Sequence, residues 1–305
     1  MIVNKIEPQG YCGGVIHAIK MAMDAAKDPS IKKPIYMLGQ IIHNSNVIKD
    51  LEHEGIITIF EEGLSRLLLL DKINSGTVIF SAHGVSPKVY EKAKEKGLNI
   101  IDATCPYVLM VHKKMEEHLK KNYECIYIGT KNHPECEGVL GISDKIHFVS
   151  TLEDIKNLNI DSSFVYATNQ TTLSIFDTKA LFDEIKRKYP NAYIDDKICN
   201  ATTIRQLAME NQPSCDLCIV VGDKKSSNTK KLVEVSQNKG IHTIFVENLD
   251  QLKKESLDGI HKVNVSSGAS TPSYIVDEII KYLMAHNECI HKRFPVDYKV
   301  KKSHI

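Results

Sequence analysis

Three cysteines stand at nearly equal intervals in this sequence: Cys12, Cys105 and Cys199, separated by 93 and 94 residues. Each leads into a helical pattern, as in "IDATCPYV" (residues 101–108), where Pro106 takes the first helical position at no cost in hydrogen bonding. A lone free cysteine in such a place is ordinarily a small buried core residue. Three in register are a different matter, because three thiolates converging on one point bind a soft metal centre. Structural zinc takes a fourth protein ligand, and His43 or His133 would complete a three-cysteine, one-histidine set. A cubic iron–sulfur cluster normally takes four cysteines. Held by three, it leaves one iron open to a substrate, as catalytic metal sites do. Both readings stand at this point. Cys215-x-x-Cys218 has the spacing of a redox dithiol, but Cys218 opens the apolar run "CIVVG". Redox thiolates are stabilised at helix N-termini instead, so a redox role is set aside. Cys125, Cys136 and Cys289 are read as packing residues.

The elements around the three cysteines repeat with them. After each comes a helical pattern, "GGVIHAIKMAMDAAKD", "PYVLMVHKKMEEHLKKN" or "ATTIRQLAMENQ", and then a short apolar run ending in glycine, "IYMLG", "CIYIG" or "CIVVG". Gly39, Gly129 and Gly222 lie 27, 24 and 23 residues past their cysteines, and four residues further stand His43, His133 and Ser226. A second apolar run delivers His83, Thr171 and Ser270, which lie 40, 38 and 44 residues beyond those polar residues. Nine matched positions at three offsets define a threefold internal repeat.

Strands alternating with helices predict parallel sheets covered by helices, and ligands of such sheets collect beyond the carboxyl ends of the strands. The expected fold is therefore α/β: three similar units with small parallel sheets around a pseudo-threefold axis, enclosing a central metal-cluster cavity. The expected units are 13–98, 99–194 and 195–285, with strand 1–6 at a join and 286–305 as a C-terminal tail. A chain of 305 residues has room for that many cores. With 39 basic and 38 acidic side chains, it has no electrostatic bias toward nucleic acid or an anionic membrane. No apolar run reaches the roughly 18 residues of a membrane span, and no secretory signal opens the sequence. Eight cysteines in that setting point to a reducing, cytoplasmic environment.

The strings "YCGGVIHAI", "IIHNSNV", "SAHGVSP", "DATCP", "NHPECEG", "NQTTLS", "CNATTIRQ", "SSNT" and "SSGAS" occur in that order over residues 2–285. Together they resemble the LytB family, the 4-hydroxy-3-methylbut-2-enyl diphosphate reductases of the non-mevalonate isoprenoid pathway. Gly13, Asn200 and Lys131-Asn132 depart from the family pattern, next to the site residues.

The resemblance implies a [4Fe–4S] cluster on Cys12, Cys105 and Cys199 with one open iron. It implies a diphosphate substrate held by His43, His83, His133, Ser226, Ser227, Asn228 and Ser270. Imidazole, hydroxyl and amide groups all donate to phosphate oxygens, protonated histidines most strongly. Ser226, Ser227 and Asn228 also suit a helix cap, and a cap facing a cavity is an anion site as well. Glu135 would be the proton donor, with Thr171 positioning the substrate hydroxyl; a carboxyl in a dry site has its pKa raised and can donate near neutral pH. On local sequence alone Glu135 would be a solvent-exposed loop residue. The implied reaction is reductive dehydroxylation to isopentenyl and dimethylallyl diphosphate, with electrons from a ferredoxin or a flavodoxin with its reductase. Two other classes fit three cysteines: a quinolinate synthase-like iron–sulfur enzyme, and a non-catalytic iron–sulfur sensor or zinc-stabilised binding protein. The "HPE" and "SSN" strings oppose the first, and the number of diphosphate donors opposes the second.

Overall fold

The structure, a computed structural model, describes residues 1–196 and 199–285, together with the backbone of 291–294. Its strands in chain order are β1 (Ile2–Ile6), β2 (Ile35–Leu38), β3 (Ile56–Ile59), β4 (Thr77–Phe80), β5 (Asn99–Asp102), β6 (Glu124–Ile128), β7 (Ile146–Val149), β8 (Val165–Asn169), β9 (Tyr193–Asp195), β10 (Leu217–Val221), β11 (Thr243–Val246), β12 (Lys262–Ser267) and β13 (His291–Phe294). They form three parallel sheets, ordered β3-β2-β4-β5, β7-β6-β8-β9 and β11-β10-β12-β1-β13. Every strand pairing is parallel, so each crossover must carry the chain back over a face, and helices do so. The α/β expectation holds.

Sheet order makes the internal repeat visible. In each sheet the first two strands of the run swap places, the third lies inside, and a fourth pairs beside the third: β5, β9 and β1. Those fourth strands are the ones that run into Cys105, Cys199 and Cys12. β1 belongs to the sheet of the last third of the chain, in register Ile2↔Lys262 through Lys5↔Val265. β5 hydrogen-bonds to β4, and β9 to β8. Residues 291–294, within the expected tail, pair with β1 on its other side.

Burial follows position in the sheet. Interior strands such as β4, β8 and β10 are buried along their whole length, whereas β5 and β9 keep exposed residues. A strand covered on both faces must be apolar on both, which is why "TVIF" and "LCIVV" do not alternate. Along β10, Leu217, Ile219 and Val221 enter one core while Cys218 and Val220 enter the other. β6 divides in the same way, with Ile126 and Ile128 on one face and Cys125 and Tyr127 on the other. Cys125, Cys136 and Cys218 are buried, as packing residues should be; Cys289 lies outside the described residues.

The chain divides into two compact units. One contains Cys12–Thr203 with the sheets β2–β5 and β6–β9; the other contains Met1–Tyr11 and Ile204–Ile305 with the five-stranded sheet. No helix of the described residues is long and apolar enough to cross a membrane.

Candidate active site

All three repeat cysteines open helices. Cys12 and Cys105 are the N-caps of helices Gly13–Lys27 and Pro106–Lys120, and the carbonyl of Cys199 accepts from Thr202 and Thr203 at the start of helix Asn200–Glu210. Pro106 is at the first helical position, as its ring demands. Gly14 forms part of the cradle: a Cβ there would lie 2.5 Å from Cys105 Sγ and 3.9 Å from Cys12 Sγ. Burial raises the Cys105 thiol to about 11, and the charges of Cys199 and Cys12 add to the rise. Cys199 is raised chiefly by burial, against the backbone N–H groups of Ala201 and Thr202, with Cys12 and Glu135 adding repulsion. Thiols raised as Cys105 and Cys199 are, gathered with Cys12, need a cation among them to serve as thiolates together. That donor set, with the space left by Gly14, fits an iron–sulfur cluster.

Glu135 follows His133 and Pro134 in helix Pro134–Leu140 and is 1% exposed, contrary to what its local sequence suggests. The backbone N–H of Thr171 donates to its Oε1 at 2.8 Å, Thr171 Oγ1 to Oε2 at 3.0 Å, and Tyr127 Oη to Oε1 at 3.4 Å. Burial pushes the carboxyl up to about 7 while the Thr171 and Tyr127 donors oppose that rise. The result is an acid that titrates near neutrality.

Gln170 braces this pair. Its Oε1 accepts from Thr130 N at 2.9 Å and from Cys136 Sγ at 3.4 Å, and its Nε2 donates to Thr172 at 2.7 Å. The loops after β6 and β8 are thereby held to each other.

His43, His83 and His133 come together, with ligand nitrogens all within 4.8 Å of one another and ring centroids 4.8–5.7 Å apart. His133 is the N-cap of its helix: its Nδ1 accepts from Glu135 N at 3.1 Å. That bond assigns the neutral tautomer with the proton on Nε2. His83 is held well below the ordinary histidine value by burial first, then by His43, His133 and Arg66. Burial and these neighbours therefore favour the neutral form of His83, where charge-assisted donation would require protonation.

Ser226, Asn228 and Ser270 lie in the other unit and are buried. Ser226 caps helix Ser227–Asn238, accepting from Thr229 N at 3.3 Å. Ser270 Oγ donates to Ser226 Oγ at 3.3 Å, and Asn228 Oδ1 accepts from Ala269 N at 3.0 Å. Gly222 and Gly268 allow the close approach. A Cβ at Gly268 would sit 1.9 Å from Thr229 Oγ1, and one at Gly222 2.8 Å from the same side chain.

Three residues of this region were given no role by the sequence: Tyr127, Gln170 and Arg66. Tyr127 lies in the run "CIYIG" and Gln170 in the motif "NQTTLS", so both stood inside strings already marked. Arg66 lies in "LSRLLLL", where nothing marks it.

A model of the LytB protein family matches residues 3–284. A 4-hydroxy-3-methylbut-2-enyl diphosphate reductase from Bacillus cereus (strain B4264) is 47% identical over 94% of this chain and 91% of its own length. The protein of that name from Bacillus thuringiensis (strain Al Hakam) is 48% identical over 93% and 90%. Among solved structures, the E-1-hydroxy-2-methyl-but-2-enyl-4-diphosphate reductase from Plasmodium falciparum superposes with a TM-score of 0.88 at 34% identity, covering 99% of this chain and 95% of that one. A second, titled (E)-4-hydroxy-3-methyl-but-2-enyl diphosphate reductase, the terminal enzyme of the non-mevalonate pathway, gives 0.65 at 32%, covering 93% and 100%. Motif order, sheet architecture and relatives agree along nearly the whole length, and the chain belongs to the LytB family.

Proposed function

We propose that this chain is an iron–sulfur reductase of 4-hydroxy-3-methylbut-2-enyl diphosphate. It adds two electrons and two protons, expels the hydroxyl as water and yields isopentenyl and dimethylallyl diphosphate. The observation that carries this reading is Glu135, a buried carboxyl with a pKa near 7, bonded to Thr171. A [4Fe–4S] cluster on Cys12, Cys105 and Cys199, with one iron lacking a protein ligand, would supply the electrons and a Lewis acid toward the leaving hydroxyl. Glu135 holds a proton at neutral pH and gives it to that hydroxyl. Thr171, whose Oγ faces Glu135 Oε2, orients the hydroxyl beside the acid.

The histidines bind the diphosphate. Nε2–H of His133 is a donor before any ligand arrives, and the buried guanidinium of Arg66 adds a fixed positive charge close enough to depress His83. Ser226, Ser227, Asn228 and Ser270 supply further donors at the N-terminus of a twelve-residue helix, where backbone N–H groups favour anions. The electron donor is a ferredoxin or a flavodoxin with its reductase, and the setting is cytoplasmic. The three α/β units, 13–98, 99–194 and 195–285, are part of the same reading.

The three convergent imidazoles also favour a second reading, a divalent metal bound by His43, His83 and His133. Arg66 beside His83 weighs against a cation there and for an anion. Zinc held by the three cysteines would need a histidine, and both candidates have their rings packed against His83 and each other.

The test is anaerobic purification with metal analysis and turnover using a reduced dye. Brown protein with about four irons per chain and release of the two products is the expected result. A colourless protein with stoichiometric zinc and no turnover overturns the proposal.

A further inference from the structure

Arg66 is a buried cation far from the motifs. It opens the short helix Arg66–Leu69 and is 4% exposed. Its Nη1 donates to the carbonyl of Gly84, the residue after His83, and its Nη2 to the carbonyl of Pro134, between His133 and Glu135. Nε donates to Glu137 Oε2 at 3.2 Å and the backbone N–H to Glu137 Oε1 at 2.8 Å. The stem passes the turn that leads to His43, since a Cβ at Gly39 would lie 3.8 Å from Arg66 Cδ. One guanidinium thus spans loops of two sheets, β2–β5 and β6–β9, and touches the segments behind His83 and His133.

We propose that Arg66 is a positioning residue that holds the loops of His83 and His133 at the spacing a diphosphate requires. The geometry is specific to arginine: a planar fork reaches two carbonyls and a carboxylate at once, whereas a lysine head on a flexible stem cannot reproduce that fan. Gly84, at φ +74°, lets the chain turn sharply behind His83 and offer its carbonyl to the fork. Burial without solvent makes each of these bonds costly to lose. The reach of the charge is a second sign that Arg66 faces the site. It contributes to the depression of both His83 and His112, the latter brought to about 4 chiefly by burial.

This inference rests on the reading of the histidines as diphosphate donors, and the experiment separates the two. Holoenzyme carrying Arg66→Lys is compared with wild type for substrate KM and kcat, for inhibition by inorganic diphosphate, and for the imidazole nitrogen resonances of its histidines. Iron content and thermal midpoint serve as controls. The expected result is full iron content with KM and the diphosphate inhibition constant raised on the order of 10-fold or more, because small displacements of binding groups are expensive. kcat should change less, since binding rather than chemistry is disturbed, and the His83 and His133 resonances should move. In a His83→Ala background the same change should have a much smaller effect, a coupling that a merely structural role would not produce. Glu137→Gln, which loosens the arginine without removing it, should shift KM in the same direction by less, and decides the matter if Arg66→Lys fails to fold. Wild-type KM and diphosphate inhibition in a folded Arg66→Lys or, failing that, Glu137→Gln variant overturns the inference. Unchanged diphosphate inhibition in His83→Ala instead overturns the histidine reading.

Discussion

The loops after β6 and β10 occupy matching places in matching sheets, yet they present different chemistry. After β6 the chain offers His133 and Glu135; after β10, at the same distance from its glycine, it offers Ser226 and Asn228. Both His133 and Ser226 cap the helix that follows, and both use a side-chain atom to accept a backbone N–H. The capping duty is therefore the constraint the two positions share: whatever stands there must satisfy a helix N-terminus. What differs is the atom left over. Histidine caps with one nitrogen and keeps a second for a ligand, whereas serine must serve both ends with one hydroxyl. The imidazole loops suit a fixed donor and a nearby acid, and the hydroxyl loop suits additional anion contacts.

The largest effect should come from the repeat cysteines, which precede the helices of the repeat. Cys12→Ser, Cys105→Ser and Cys199→Ser should each lose most of the iron and nearly all turnover, while Cys215→Ser keeps both; iron analysis and dye-driven assays decide. Gly14→Ala should also lower iron content, because its Cβ intrudes on Cys105 Sγ.

Next in size is Glu135→Gln, with an expected fall in kcat of about 10²–10⁴-fold, the worth of a placed general acid, at nearly unchanged KM. Its stability should move the other way. A carboxyl raised from 4.5 to about 7 in the folded protein binds more protons folded than unfolded, so stability falls as pH rises through that window. Removing the ionisable group should therefore recover about 3 kcal/mol above pH 7 and little near pH 4.5. Thermal unfolding at the two pH values checks this, and an equal shift at both would contradict it. His83 has the opposite sign. Its folded pKa is depressed, so it contributes stability above the ordinary histidine value that is lost as pH falls below it.

Smaller effects separate an imidazole loop, here the one after β2, from the hydroxyl loop after β10. His43→Ala and Ser226→Ala should each weaken binding of the diphosphate substrate by about 1.5–3 kcal/mol, the loss of a bond to a charged group. Neither should change affinity for the dephosphorylated alcohol. Smallest is the structural share of Ser226→Ala, about 1 kcal/mol of stability from the missing cap, read from denaturant unfolding without ligand.

Much of the site was legible because its residues recur just past strand ends. "DATCP" names a strand end, a turn and a helix start in consecutive letters, "NHPECEG" and "SSNT" name the cap and helix start, and the structure has helices beginning at Pro106, Pro134 and Ser227. The burial of Glu135 was not legible locally, because it depends on Tyr127 of β6 and on Thr171 in the loop after β8. Arg66 was beyond reach for the same reason in stronger form. Its partners Gly84, Pro134 and Glu137 lie 18, 68 and 71 residues away, and no periodicity encodes a bond of that kind. The assignment of β1 to the last sheet likewise needed the register with β12, since a five-residue strand with three apolar residues fits any parallel sheet.

That register has a consequence for how the chain is made. β1 ends at Ile6, but its partner β12 begins 256 residues later, at Lys262. At ribosomal rates of about 5–20 residues per second, the first strand waits on the order of tens of seconds for its neighbour. The sheets of β2–β5 and β6–β9 draw all their strands from short consecutive stretches and can close while translation proceeds. The five-stranded sheet cannot. Its first strand is an unpaired edge while those 256 residues are made, the kind of segment that recruits a chaperone or a stray partner. Ribosome-stalled chains should accordingly acquire protease resistance in the two four-stranded sheets first, with β1 protected only after β12 has left the exit tunnel.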